Sequence, residues 1–279
     1  MNSFNFNGKI FSEGISIVGA DNRGLRYGDG LFETIKMTKG QLIQEDEHFA
    51  RLWNGMKVLQ FDIPKQFTPD KLHEEIAGLV KKNGHENAAR LRLNVFRGNG
   101  GLYDAKNYFP NYIIQSWALP EGNGEWNSNG LIAGLYEDVK KSCDILSNLK
   151  HNNYLPYILA ALKAKKEKWN DAILLNTYGR ICDTTIANIF LIQDGVIYTP
   201  ALSEGCVAGV MRKKIIQELI KFQFKLIEKE ISSDDLLNAD EIFFTNSIYN
   251  LRWVQRIGNK EFSNVISRKI YDSVISTIE

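Results

Sequence analysis

DAILLNTYGRICDTTIANIFLIQDGVIYTP, residues 171–200, decides the fold class. Its short apolar runs are broken by the triplets TYG and QDG, so the stretch reads as successive strands joined by tight turns, with no helix between them. Working outward, GLIAGLYEDV (130–139) reads as a strand and Tyr154 to Lys168 as a helix. Downstream, LSEGCVAGVMRKKIIQELI (202–220) runs from a glycine-bounded loop into a helix. FKLIEKEI (224–231) and ADEIFFTNS (239–247) follow as further strands. This order predicts an α+β (mixed α/β) protein with mixed sheets, because a doubly wound fold would alternate strand and helix regularly.

The N-terminal half begins as sheet. NSFNFNGKIF (2–11) reads as a strand or hairpin, and GDGLFETIKMTKGQLI (28–43) places strands on either side of a TKG turn. In HFARLWNGMKVLQF (48–61) the period changes to helical, with Phe49, Leu52, Met56 and Leu59 near one face. TPDKLHEEIAGLVKKNG (68–84) carries its own punctuation: Thr68 to cap, Pro69 for the first turn, Gly84 to stop. AARLRLNVFRG (88–98) alternates Arg90, Arg92 and Asn94 against Leu91, Leu93 and Val95, the pattern of a strand with one wet face. YFPNYIIQSWAL (108–119) supplies another strand. PEGNGEWNSNG (120–130) lacks both periodicity and apolar density, so the expected organisation is a small α/β domain over 1–119, a linker over 120–130 and a larger domain over 131–279.

Composition narrows the function classes. Among 279 residues, 34 basic and 33 acidic side chains leave a formal charge of +1, which gives nucleic acid no electrostatic footprint. The basic run KAKKEKW (163–169) reads as the solvated end of a helix. Cys143, Cys182 and Cys206 form no CxxC pair and cannot all be bridged within the chain, which fits a reducing compartment. No signal segment and no apolar run of membrane-spanning length is present, so the expected protein is cytoplasmic, with no membrane or nucleic-acid partner and no metal.

The chemistry-bearing stretches are SNLKHNNYL (147–155), where Lys150 stands between an apolar run and a small polar cluster, and EGCVAGVMRKK (204–214). In the second, Gly205 and Gly209 permit close backbone approach, and a helix starting near Val210 would aim unpaired amides at a dianion. Arg51 could add a charged grip, although one arginine on a helix is ordinarily a surface residue.

The order of these blocks resembles fold type IV, the pyridoxal 5'-phosphate enzymes that include branched-chain aminotransferases, D-amino acid aminotransferases and aminodeoxychorismate lyases. The resemblance runs from NRGLRYGDGLFET (22–34) through HFARL, RLRLNVFRG, LKHNNYL, DAILLNTYGRICDTTIANIF and YTPALSEGCVAGVMR to DEIFFTNS (240–247). It implies a two-domain, D-amino acid aminotransferase-like architecture, a pyridoxal 5'-phosphate cofactor and a homodimer. It also implies site roles. Lys150 matches the Schiff-base lysine, Arg51 the phosphate arginine, Val210 and Met211 the residues whose amides meet phosphate, and Ser247 the hydroxyl that completes the cup. Tyr154, at slightly different spacing, matches the tyrosine facing the ring hydroxyl. Asp183 stands where the family carries a glutamate against the ring nitrogen, five residues before Asn188. Losing one methylene withdraws that carboxylate by roughly 1.5 Å, so the ring must sit nearer the strand or a water must bridge.

Within the family, GVMR, LKHNNYL and TNS look like aminodeoxychorismate lyase, and the SPRxH segment of many bacterial D-amino acid aminotransferases is replaced by RGNGGLYDAKNYF (97–109). The resemblance therefore implies a lyase that forms 4-aminobenzoate and pyruvate from 4-amino-4-deoxychorismate, with Arg26, Arg92 and Arg97 as candidates for the substrate carboxylates. Against this, Leu102 stands where the lyases place an arginine, and Trp253 and Val254 replace a frequent Pro-Val pair. A branched-chain or D-amino acid aminotransferase is the alternative, and an inactive cofactor carrier the reading from outside enzymology.

Overall fold

The computed structural model describes residues 2–106 and 108–278, with the side chain of Ser276 left out of the description. The chain divides into two compact units: residues 1–123 with 149–153, and residues 124–148 with 154–279.

The first unit is one antiparallel sheet with helices. Its elements are β1 (Ser3–Phe6), β2 (Lys9–Ser12), α1 (Arg23–Tyr27), β3 (Gly30–Thr38), β4 (Gln41–Leu42), α2 (Glu45–Val58), α3 (Pro69–Asn83), β5 (Ala88–Arg97) and β6 (Pro110–Ala118). The strands lie in the order β2-β1-β6-β5-β3-β4. α3 begins and ends on the residues its sequence names: the Thr68 hydroxyl accepts from the Lys71 amide, and Gly84 closes the helix in the left-handed conformation at φ 70°. Leu72, Ile76, Leu79 and Val80 form its buried stripe. In β5 the alternation holds, with Leu91, Leu93 and Val95 fully buried while Arg90 is exposed and Arg92 half-buried. In α2, Phe49, Leu52 and Met56 are buried, but Leu59 lies past the helix as its cap.

The second unit holds a larger mixed sheet. Its elements are β7 (Leu131–Lys141), α4 (Leu155–Glu167), β8 (Asp171–Asn176), β9 (Ile181–Thr184), β10 (Asn188–Gln193), β11 (Val196–Pro200), α5 (Val210–Lys221), β12 (Leu226–Lys229), α6 (Ser233–Asn238), β13 (Glu241–Asn246), β14 (Asn250–Ile257), β15 (Lys260–Glu261) and α7 (Val265–Val274). The strand order is β12-β11-β10-β13-β14-β7-β8-β9, with β15 on β14. β11 and β12, β14 and β7, and β7 and β8 pair in parallel, and the other neighbours are antiparallel. The TYG and QDG turns fall where the sequence places them, with Gly179 at φ 75° and Gly195 at φ 72°. β8 and β13 are buried along their whole length or nearly so, hence their continuous apolar runs.

Two features depart from the expected division into 1–119, 120–130 and 131–279. Residues 149–153 return to the first unit, because they pair with β3: the Phe32 amide donates to the Lys150 carbonyl at 2.8 Å and the Asn152 amide to the Gly30 carbonyl at 2.9 Å. The segment 124–130 is no free linker either. Asn127 exchanges hydrogen bonds with the Trp253 backbone at 3.0 and 3.1 Å, and its carbonyl accepts from the Trp253 indole at 2.7 Å. Trp126 stacks on Trp253 at 6.4 Å, so side chains supply the order that periodicity does not.

Candidate active site

In the first unit, glycines let the Lys150 segment lie against β3. A Cβ on Gly30 would sit 2.3 Å from the Val95 carbonyl oxygen and 2.6 Å from the side-chain nitrogen, Nδ2, of Asn152. One on Gly28, at φ 65°, would sit 2.2 Å from the Asn153 side-chain oxygen. The YGDG of the sequence is thereby explained: both glycines are where Asn152 and Asn153 need the space. The Lys150 amine lies over the Phe32 ring, 4.5 Å from its centre, and the Arg92 guanidinium lies 3.9 Å from the centre of the same ring. Asn94 is the register partner of Phe32 across β3 and β5, and its side-chain oxygen is buried with no hydrogen-bond partner among the described residues.

Glu33, the next residue of β3, organises Arg51. Its buried carboxylate accepts from Arg51 Nε at 2.8 Å, from Arg51 Nη2 at 2.5 Å and from His48 Nδ1 at 2.7 Å. His48 and Arg51 stand three residues apart on α2, so one helical face presents both. Burial pushes the Glu33 carboxyl up, yet Arg51 and His48 together hold it down at about 2. His48 is lowered from its ordinary value, mainly by burial, which outweighs Glu33; the charges of Arg51 and Lys150 lower it further.

The second unit carries the remaining expected residues. Asp183 lies on β9, 2% exposed, and a single oxygen, Oδ2, receives three donors at 3.0 Å: Lys141 Nζ, the Tyr157 hydroxyl and the Val207 amide. Tyr154 caps the start of α4 and stacks on Tyr157 at 4.1 Å, with its hydroxyl 3.5 Å from the Thr185 carbonyl. Val210 and Met211 open α5 and are buried; its cap is Gly209, which has no side chain to satisfy the helix start. A Cβ on Gly209 would lie 2.0 Å from Asn188 Oδ1. Ser247 is half-buried in the turn between β13 and β14, which Asn246 shapes by accepting from the Ile248 and Tyr249 amides at 2.9 and 2.8 Å.

These groups fit a phosphorylated pyridine cofactor. Asn188 faces the glycine cap of α5, and its register partner Thr245 shares its face of the sheet. The Thr245 hydroxyl is buried without a hydrogen-bond partner among the described residues, which an anion at the uncapped α5 amides would supply. No group of His, Cys, Asp and Glu among the described residues could hold a metal ion.

The three substrate-arginine candidates have different settings. Arg92 shares the Phe32 ring with Lys150, whereas Arg26 is exposed on α1 over Tyr27. Arg97 is buried over Phe61, donating to Asp29 at 3.2 Å and to the Leu59 carbonyl at 2.5 Å. These bonds tie the end of β5 to the loop before β3 and to the end of α2, which is a structural task. Sequence reading did not find Glu33, His48, Asn94, Lys141, Tyr157 or Thr245. The Glu of LFET was the one available signal, since an acidic residue inside an otherwise buried strand calls for a cationic partner.

Comparison with known proteins identifies the family. The family model for amino-transferase class IV matches residues 30–257. An aminodeoxychorismate lyase of Vibrio harveyi is 30% identical over 86% of this chain and 87% of its own length. A putative branched-chain-amino-acid aminotransferase of Methanocaldococcus jannaschii is also 30% identical, over 92% of this chain and 88% of its own. The crystal structure of the branched-chain aminotransferase of Thermoproteus uzoniensis with norvaline superposes with a TM-score of 0.87 at 23% identity, covering 99% of this chain and 94% of that one, and so shares its fold. With the matched family spanning both units, the chain belongs to the class IV aminotransferases and is a pyridoxal 5'-phosphate-dependent enzyme.

Proposed function

We propose that the protein is an aminotransferase of the branched-chain or D-amino acid type, built on the D-amino acid aminotransferase-like arrangement. The observation that carries this is the Phe32 ring: one amine, Lys150, and one guanidinium, Arg92, share it, while Arg97 is engaged by Asp29 and Leu59. An amino acid presents one carboxylate near the reacting carbon, and one arginine meets that need. The dicarboxylate 4-amino-4-deoxychorismate asks for more, yet Leu102 is exposed where the lyases carry an arginine. This reverses the order in which the sequence ranked the two activities. The lyase stays as the second reading, supported by GVMR and by the 30% identity to the Vibrio harveyi lyase.

The cofactor supplies an electron sink for charge developing at the substrate carbon. In this reading Lys150 holds it covalently and moves a proton at the carbon that bears the amine. Arg51, the Val210 and Met211 amides and Ser247 hold the phosphate, with Glu33 fixing the Arg51 fork in advance. Asp183 would meet the ring nitrogen and Tyr154 the ring hydroxyl. Arg92 receives the substrate carboxylate.

The working form is a homodimer. The family resemblance implies it, and α4 offers an apolar stripe for a second copy: Leu155, Ile158, Leu159 and Leu162 are all exposed at helical spacing. No helix of the described residues is long and apolar enough to cross a membrane, and the three cysteines are free, which supports a cytoplasmic setting.

One assay separates the activities. Aminodeoxychorismate, L-leucine, L-glutamate and D-alanine are supplied in turn, the amino acids with 2-oxoglutarate or pyruvate as acceptor, and kcat/KM is compared, because that ratio reports competing transition states. Efficient transamination with little 4-aminobenzoate is expected. Efficient 4-aminobenzoate formation with no amino-acid turnover would refute the aminotransferase reading and leave the cofactor assignment intact.

A further inference from the structure

Lys141 is a buried cation that none of the roles above employs. It ends β7 beside Lys140, which is exposed, whereas the Lys141 side chain is 8% exposed. Removing an ammonium from water costs several kcal/mol unless a counter-charge and hydrogen bonds compensate. Here the counter-charge is Asp183, 3.0 Å away, and the Tyr157 ring lies 4.8 Å from the ammonium. Burial pulls the Lys141 pKa down, Asp183 draws it up, and the result stands above the ordinary lysine value, so Lys141 is held as a cation.

The arrangement is lopsided. Lys141, Tyr157 and the Val207 amide all donate to Oδ2 of Asp183, while Oδ1 has the Cys182 thiol at 3.5 Å, a weak donor. Val207 belongs to the loop that leads into Gly209 and α5, so the same carboxylate oxygen links β7, α4 and the phosphate loop. Three donors on one oxygen fix the plane of the carboxylate and disperse its charge. We propose that Lys141 is a positioning residue for the cofactor's ring nitrogen: it clamps Asp183 through Oδ2 and offsets its charge, leaving Oδ1 to accept from a nitrogen that is less fully protonated than an unpaired carboxylate would make it. The inference rests on Asp183 being the ring-nitrogen partner. A mere structural ion pair would stabilise the fold without affecting the nitrogen.

The test uses holoenzyme loaded with pyridoxal 5'-phosphate carrying nitrogen-15 in the ring, whose chemical shift reports protonation independently of turnover. Lys141→Met is expected to move the resonance toward the protonated limit, and Lys141→Arg, which restores the charge, to move it back. Tyr157→Phe removes one neutral donor and is expected to give a smaller shift in the same sense. Asp183→Asn should move the resonance toward the free base. If Asp183→Asn moves it and Lys141→Met does not, Lys141 is only structural and the proposal fails. If Asp183→Asn leaves it unmoved, Asp183 is not the partner, and both assignments fall together. Should Lys141→Met not yield folded holoenzyme, Tyr157→Phe decides, and an unmoved resonance there overturns the clamp.

Discussion

Glu33→Gln is the substitution whose cost the structure lets one work out. The carboxylate is 1% exposed and bonded to Arg51 and His48, with a pKa near 2 against an ordinary value of 4.5. A group whose pKa is depressed on folding stabilises the protein above its unfolded pKa and loses that contribution as pH falls through the folded value. The gap of about two and a half units, at about 1.36 kcal/mol per unit, corresponds to roughly 3 kcal/mol at neutral pH. The glutamine is nearly isosteric but carries no charge, and it turns an N–H group toward Arg51 or His48. At pH 7 the variant should therefore be less stable than the parent by about 3 kcal/mol, within the range for breaking a buried pair. The difference should shrink as pH is lowered from about 4.5 toward 2, because the parent alone loses the contribution. Urea unfolding gives the totals, and hydrogen exchange in peptides spanning β3 and α2 localises the loss to the first unit. A difference below about 1 kcal/mol at pH 7, or one that does not change between pH 5 and pH 3, would refute the account of a charge held by Arg51 and His48.

Borohydride reduction of the holoenzyme should attach the cofactor to Lys150; an adduct on another lysine in fully loaded protein would remove that residue from its role. Gly209→Ala places a Cβ 2.0 Å from Asn188 Oδ1, whose amide nitrogen is anchored to the Val207 carbonyl at 2.9 Å. The phosphate loop must then shift, and cofactor affinity should fall by roughly tenfold or more, about 1.4 kcal/mol, in equilibrium dialysis; unchanged affinity would count against a phosphate at α5. Arg97→Gln leaves Asp29 without one of its partners, so thermal stability should drop while the KM of loaded enzyme for its amino substrate stays near the parent value. A raised KM at unchanged stability would return Arg97 to the substrate.

How far the sequence discloses all this depends on the range of each signal. α3 is legible to the residue because its cap, proline and stop glycine act within a turn of the backbone they control. The strands of 171–200 are legible because turn glycines and apolar runs alternate locally. The site blocks are legible through resemblance, and the structure adds the reason for two of their glycines at Gly28 and Gly30. α7 is a different case. The C-terminal stretch drew no helical reading, since Asn264 offers no side-chain cap at its start; the Glu241 carboxylate on β13 instead accepts the Ile266 and Ser267 amides at 2.8 and 2.7 Å. A helix capped from a distant strand carries little of its punctuation in its own sequence.

Separation along the chain also explains why Arg51 and Asp183 are legible as site candidates while the charged partners that hold them are not. Lys141 in DVKKSCD looks like half of a solvated pair, and Glu33 in LFET signals that a cation is needed without saying which one. Their partners stand 42 and 18 residues away, at Asp183 and Arg51. A buried charge is tolerable only with its counter-charge in place, so each such residue is in effect a statement about a second position that periodicity cannot name. At Asp183 this has a consequence for function. Taken alone, the residue is a carboxylate one methylene short of the family's glutamate, and the question is whether it reaches. Taken with Lys141, Tyr157 and Val207, it is a carboxylate held by one oxygen with its charge already shared, and for the proposed site the question becomes how much negative charge a ring nitrogen would meet there. Reach and charge respond to different substitutions, Asp183→Glu for the first and Lys141→Met for the second. If Asp183→Glu alone brought the ring nitrogen to the protonated limit while Lys141→Met did nothing, distance would be the variable that matters at this site; the three donors on Oδ2 lead us to expect the reverse.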